Sequence, residues 1–222
     1  MQKMSQLRLT VYERKGWDEK MIYKEILGDD FNKLHPKLQE RYSITMDCPF
    51  HGKGIMLHIS NGKRWLKSFL RLAVRWKFLF PEEGSNIPFT IRNTSKQLAN
   101  GDQEIYWERS FHFQHVTRHF NAFMTIDPEQ RIVKDYLGEP NLFYSDLTFL
   151  VASNGELHIQ SGAQRILLGK WEVPIPRLLE GKVMVKEGYD DVNGLYTIHV
   201  DIRNPMLGRL MAYDGRFKQE DR

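Results

Sequence analysis

One cysteine, Cys48, among 222 residues leaves no intramolecular disulfide and no cysteine-built zinc site. No apolar run approaches the ~18 residues that a membrane-spanning helix needs. The amino terminus lacks an apolar stretch followed by a small-residue cleavage site, so no secretory signal is expected. Together these absences point to a reducing, cytoplasmic setting. Charge of one sign is also scarce: 32 Lys+Arg against 28 Asp+Glu leave a formal net charge of +4. That bias alone does not make a nucleic-acid binder, whose cations gather on one face. There is no G-x-G-x-x-G, P-loop or G-x-S-x-G, and no βαβ alternation, which argues against Rossmann and α/β-hydrolase folds. No nucleophile, base and orienting group stand together. Ser161, in a Ser-Gly-Ala-Gln-Arg turn, has no evident His partner, and Asp190-Asp191 reads as the start of a turn. No cofactor is expected.

What is abundant is strand punctuation. Asn-Gly pairs stand at 61–62, 100–101, 154–155 and 193–194, each before a strand-like run. Type I′ hairpin turns need positive φ at both central positions, which Asn and Gly tolerate best. Period-two alternation marks strands near 54–60, 87–93, 104–113, 118–126, 131–137, 145–151, 156–161, 163–168, 182–188, 195–203 and 207–218. Helical patterns fall in the first third, at 19–27, 36–43 and 64–79, with Pro36 suited to a first helical position and Pro81 ending the last. The fold class expected is α+β: a curved antiparallel sheet, barrel-like, with amino-terminal helices over one face or mouth. Residues 21–218 form a single domain, 1–20 a tail or added edge strand, and 219–222 a short tail.

Several segments are recognisable together. They are Leu27-Gly28 with Leu34-His35-Pro36, Leu79-Phe80-Pro81-Glu82-Glu83-Gly84 running to Ile87-Pro88-Phe89, and Trp107-Glu108-Arg109-Ser110-Phe111. Asp135-Tyr136-Leu137-Gly138, Ser161-Gly162-Ala163-Gln164-Arg165, Tyr189-Asp190-Asp191, Asn204-Pro205-Met206-Leu207-Gly208 and Tyr213-Asp214-Gly215 follow in order. Over residues 21–218 the chain resembles an uncharacterised bacterial domain family. That family also occurs fused behind saccharopine-dehydrogenase-like reductases or membrane segments. The resemblance implies a partner class, an oxidoreductase or a membrane, and no mechanism.

Strand parity carries the functional expectation. Ile105, Trp107, Phe111 and Phe113 share a face, and Arg109 stands among them. A guanidinium on an apolar face needs a partner. Asp135, between Val133 and Leu137, is the available counter-charge; Gln164, Arg165 and Glu187 repeat the theme. A concave apolar pocket with a few convergent polar groups is the usual form of a small-molecule site. An internal ion pair fixing sheet register explains the same pattern. The expected pocket is lined by Arg109, Asp135, Gln164, Arg165, Trp107 and Tyr213.

Two other features invite functional readings. His112, His115 and His119 point to different faces of an extended strand, which disfavours a metal site, although a hairpin over 114–117 would bring His112 and His119 across from each other. The 64–79 segment is basic and amphipathic, so it either lies on membrane through Arg64, Lys67 and Arg71 or covers the sheet. The covering arrangement is the better fit, with Trp65, Phe69, Leu72 and Trp76 buried. Cations elsewhere are interleaved with acids, so no nucleic acid is expected. The sequence is read as a non-catalytic binding module for an apolar or amphipathic, lipid-like molecule. The alternatives are an accessory domain docking on a reductase or membrane and, with less support, a hydrolase or isomerase.

Overall fold

Alternating inward apolar and outward polar side chains generate one antiparallel sheet of twelve strands in the computed structural model, which describes residues 21–220. The strands are β1 (Phe50–Asn61), β2 (Gly84–Gln97), β3 (Gln103–Phe113), β4 (Val116–His119), β5 (Ala122–Asp127) and β6 (Ile132–Leu137). They continue with β7 (Phe143–Val151), β8 (Leu157–Leu168), β9 (Trp171–Pro174), β10 (Lys182–Asp190), β11 (Leu195–Asn204) and β12 (Gly208–Gln219). The path runs β10-β11-β12-β1-β2-β3-β5-β6-β7-β8, and β8 returns to β10 through pairs such as Val185↔Ile159. This closes a ten-strand barrel. β4 and β9 are flaps outside the closed path. Bends come from register shifts at Met56/His58 and Ser145/Leu147. Gly54 lets β1 approach β12 closely, since a Cβ there would lie 2.0 Å from the Arg216 carbonyl oxygen.

The helices close the two ends. α1 (Ile22–Leu27), a 3₁₀ segment (Gly28–Lys33) and α2 (Pro36–Tyr42) fill one mouth. Gly28 ends α1 with φ 54°, and the His35 ring accepts from the Lys37 amide to cap α2 at Pro36. His35 anchors this plug: its amide donates to the Gly155 carbonyl, and its ring stacks on Tyr189 and contacts Asp191 at 3.2 Å. At the other mouth Asn61-Gly62 leads from β1 into α3 (Leu66–Ala73), continued by a 3₁₀ turn (Val74–Trp76). A strap over 175–181 lies at the same mouth, tied down by Asn204, whose side-chain NH₂ donates to the Leu178 and Glu180 carbonyls.

Five expectations are corrected. The three hairpins do join antiparallel neighbours, β2–β3, β7–β8 and β10–β11, but the turns are not type I′. Only the glycines (101, 155, 194) have positive φ. Each Asn instead uses its side chain, as where Asn154 accepts from the Glu156 amide. The expected strand 118–126 is broken into β4 and β5, while 156–161 and 163–168 are one strand, β8. The 64–79 helix is shorter, stopped by Lys77 in the left-handed region at φ 46°. Its orientation also differs: Leu66, Leu70 and Ala73 are buried, whereas Trp65, Phe69 and Leu72 face outward. The expected tail or edge strand at 1–20 lies outside the described residues.

Candidate functional site

A cavity of about 150 Å³ lies inside the barrel, between the α2 plug and the α3 mouth. Its walls are mainly apolar, from residues such as Leu147, Ile159 and Val200, and Phe69 and Leu179 stand at the mouth. Five polar side chains reach it from different strands: Arg109 (β3), Asp135 (β6), Ser145 (β7), Gln164 (β8) and Glu187 (β10). All five are buried.

Arg109 is 9% exposed. Its Nε donates to the Phe120 carbonyl at 2.8 Å, and its guanidinium carbon lies 4.2 Å from the Phe120 ring centroid. It makes no ion pair among the described residues. The expected contact pair with Asp135 is therefore absent, and register explains why. Asp135 pairs with Met124, and Met124 with Ile105, which places the carboxylate in a row four residues from Arg109. Asp135 keeps one buried oxygen without a donor. Burial pushes its carboxyl up to about 7, and the Arg109 charge pulls the other way.

The other expected residues divide. Trp107 is a wall residue whose Nε1 donates to the Tyr23 hydroxyl at 2.7 Å. Gln164 forms a two-way clamp on Gly181, donating to its carbonyl at 2.7 Å and accepting from its amide at 2.8 Å. The clamp pins the strap to the barrel. Tyr213 is buried against Phe111 and beside Arg109, but it is not a wall residue. Burial raises its hydroxyl while Arg109 lowers it. Arg165 does not join them. As the strand neighbour of an inward residue it points outward, pairing with Glu172 at 2.7 Å over the Tyr144 ring.

Sequence reasoning missed the partner of Glu187. Arg41 of α2 is 1% exposed and grips Glu187 with two bonds, Nε to Oε2 at 2.8 Å and Nη2 to Oε1 at 3.2 Å, while Nη1 donates to Asn93. Its guanidinium lies among the Phe50, Phe217 and Trp107 rings. Burial opposes the Arg41 charge, and Glu187 together with the Tyr42 and Tyr23 hydroxyls more than offsets it, so the net effect is upward. A second polar latch at the mouth was also missed. The Asn121 side chain donates to Tyr106 and to Glu139, which in turn holds Lys77. His112 shares hydrogen bonds with Thr90 and Thr117, and His119 with Ser110.

Among the described residues the interior holds the neutralised pair Arg41–Glu187, the buried Asp135 carboxyl, and Arg109 without a contact counter-charge. No His or Cys lines the cavity. This arrangement can hold a molecule by apolar burial and one charge-assisted contact.

The profile of a domain of unknown function (DUF4166) matches residues 34–217. The uncharacterized protein YndH of Bacillus subtilis (strain 168) is 37% identical over 193 residues, spanning 87% of this chain and 94% of YndH. The matched span takes in Arg41, every candidate wall residue and the barrel strands, apart from the last two residues of β12. With the profile covering most of the chain, the protein belongs to the DUF4166 family.

Proposed function

We propose that this barrel is a non-catalytic binding module for a small amphipathic molecule. Its apolar part occupies the cavity and its anionic or strongly polar end sits at Arg109. The observation that carries this reading is the buried Arg109 guanidinium, without an ion pair among the described residues, facing a mainly apolar cavity. A buried charge left without a partner is costly, and a ligand carboxylate would supply the missing one. Burial raises the Asp135 carboxyl to about 7, so near neutral pH it carries its charge only in part and leaves that role open. A cavity of about 150 Å³ accepts roughly a benzene-sized group, below the ~300 Å³ of common ligand clefts. A longer ligand would therefore extend past Phe69 and Leu179 into the mouth. Docking without a ligand, on a reductase or membrane, is the second reading, favoured by the apolar side chains exposed around that mouth.

The test is titration with sodium octanoate, with neutral octanol as comparison, followed by calorimetry. The wild type should prefer octanoate. Arg109→Met should bind it about 10–100-fold more weakly, as expected for a lost charge-assisted bond of about 1.5–3 kcal/mol. Equal binding by the two chains, or no binding of either probe by the wild type, overturns the proposal.

A further inference from the structure

We infer that the α3 mouth of the barrel docks on the surface of an anionic lipid bilayer. The first observation is that α3 carries two apolar stripes. Leu66, Leu70 and Ala73 face the protein; Trp65, Phe69 and Leu72 face out at 58%, 46% and 46% exposure. A surface helix ordinarily keeps its outward face polar, and the second stripe has no covering element among the described residues. Leu178 and Leu179 of the strap and Met206 of the β11–β12 turn are each more than 60% exposed.

These groups share one end of the molecule. Asn204 ties the Met206 turn to the strap, Gly181 lies against Leu210, and the Gly62 amide at the root of α3 donates to the Leu210 carbonyl. Phe69 and Leu179 are both wall residues and outward-facing, so the apolar surface is continuous with the cavity. Contiguous exposed apolar surface rimmed by polar groups marks an interaction site.

Charge selects the partner. Lys63, Arg64, Arg71, Arg75 and Arg177 surround this surface and make no ion pair among the described residues. The neighbouring carboxylates are mostly engaged: Glu82 with Arg118, Glu83 with Lys67 and Glu139 with Lys77. Trp, Phe, Leu and Met at the tips with cations beside them match a layered surface, apolar below and phosphate above. A protein partner would need a carboxylate placed for each cation. Docking stands apart from the cavity reading, but joined to it the face would pass an amphipath between bilayer and barrel without exposure to water.

The experiment is co-sedimentation of the full chain with phosphatidylcholine vesicles, either pure or containing phosphatidylglycerol. The wild type should pellet only with the anionic vesicles, and high salt should release it. Arg64→Gln with Arg71→Gln should weaken binding about fivefold per charge. Trp65→Ser with Leu178→Ser should abolish it while leaving the urea midpoint unchanged, because both side chains are exposed. Arg109→Met should pellet like wild type, and Arg64→Gln with Arg71→Gln should keep octanoate affinity, so failure of one proposal is separable from failure of the other. Wild type that ignores anionic vesicles, or binds neutral ones equally, overturns the inference. So does a protein complex, in the absence of vesicle binding, that is lost in the same variants.

Discussion

Replacing Asp135 with Asn tests the charge logic of the barrel interior. The carboxyl is 6% exposed, one oxygen meets no donor, and burial raises it from 3.8 to about 7 against the pull of Arg109. Unfolded, it titrates near 3.9. Between these values the folded chain holds a proton that the unfolded chain has released. The native state binds more protons there, so stability falls as pH rises through the interval and levels off above about 7. The whole interval, about three decades at about 1.4 kcal/mol each, amounts to about 4 kcal/mol. The part between about pH 5 and pH 8 is about 2–3 kcal/mol. Asn preserves the shape and removes the titration. Urea denaturation across that range should therefore show the wild type losing about 2–3 kcal/mol relative to Asp135→Asn. Taking the difference between the chains cancels every other titrating group. In an Arg109→Met background the step should move to higher pH, because the favourable attraction is gone. A difference that stays flat from pH 5 to 8 would show that Asp135 ionises as it does in water, and would refute the argument.

How much was legible in the sequence depended on range. Alternation and Asn-Gly spacing announced an antiparallel, barrel-like sheet because each is a local consequence of backbone geometry. Closure was not legible: β8 meets β10 rather than only its sequence neighbours, and no pattern within a strand states that pairing. Parity placed Arg109, Asp135 and Gln164 inward and failed at Arg165, since two adjacent strand residues cannot share a face. It also could not supply register, so the proximity of Arg109 to Asp135 was overestimated. Arg41 was invisible for a deeper reason. A charged residue on a short helix reads as solvated unless its partner is known, and Glu187 lies 146 positions away. The α3 error has the same origin. With apolar residues on both stripes, periodicity is satisfied by either rotation, and only the anchor at Gly62 and Leu210 chooses.

Two further perturbations follow from the buried polar network. Gln164→Ala should release the strap at Gly181, costing about 1–2 kcal/mol and raising amide exchange in residues 175–183 above that of β8; unchanged exchange there would show that Asn204 and the bonded Ile175 and Val183 amides hold the strap without the Gln164 side chain. The Arg41–Glu187 pair allows the stricter test, because both side chains are 1% exposed and each depends on the other. Glu187→Gln leaves a buried guanidinium without its counter-charge and should cost about 3–5 kcal/mol in urea denaturation near neutral pH, as should Arg41→Met for the opposite reason. Removing both partners in Arg41→Met with Glu187→Leu leaves no unpaired charge among the Phe50, Phe217 and Trp107 rings. The double variant should therefore be more stable than either single one, by about 2 kcal/mol or more, and the surrounding aromatic contacts make Met a fitting replacement. Additive losses in the double variant would mean that the two side chains act independently, and that the plug is held without help from their pairing.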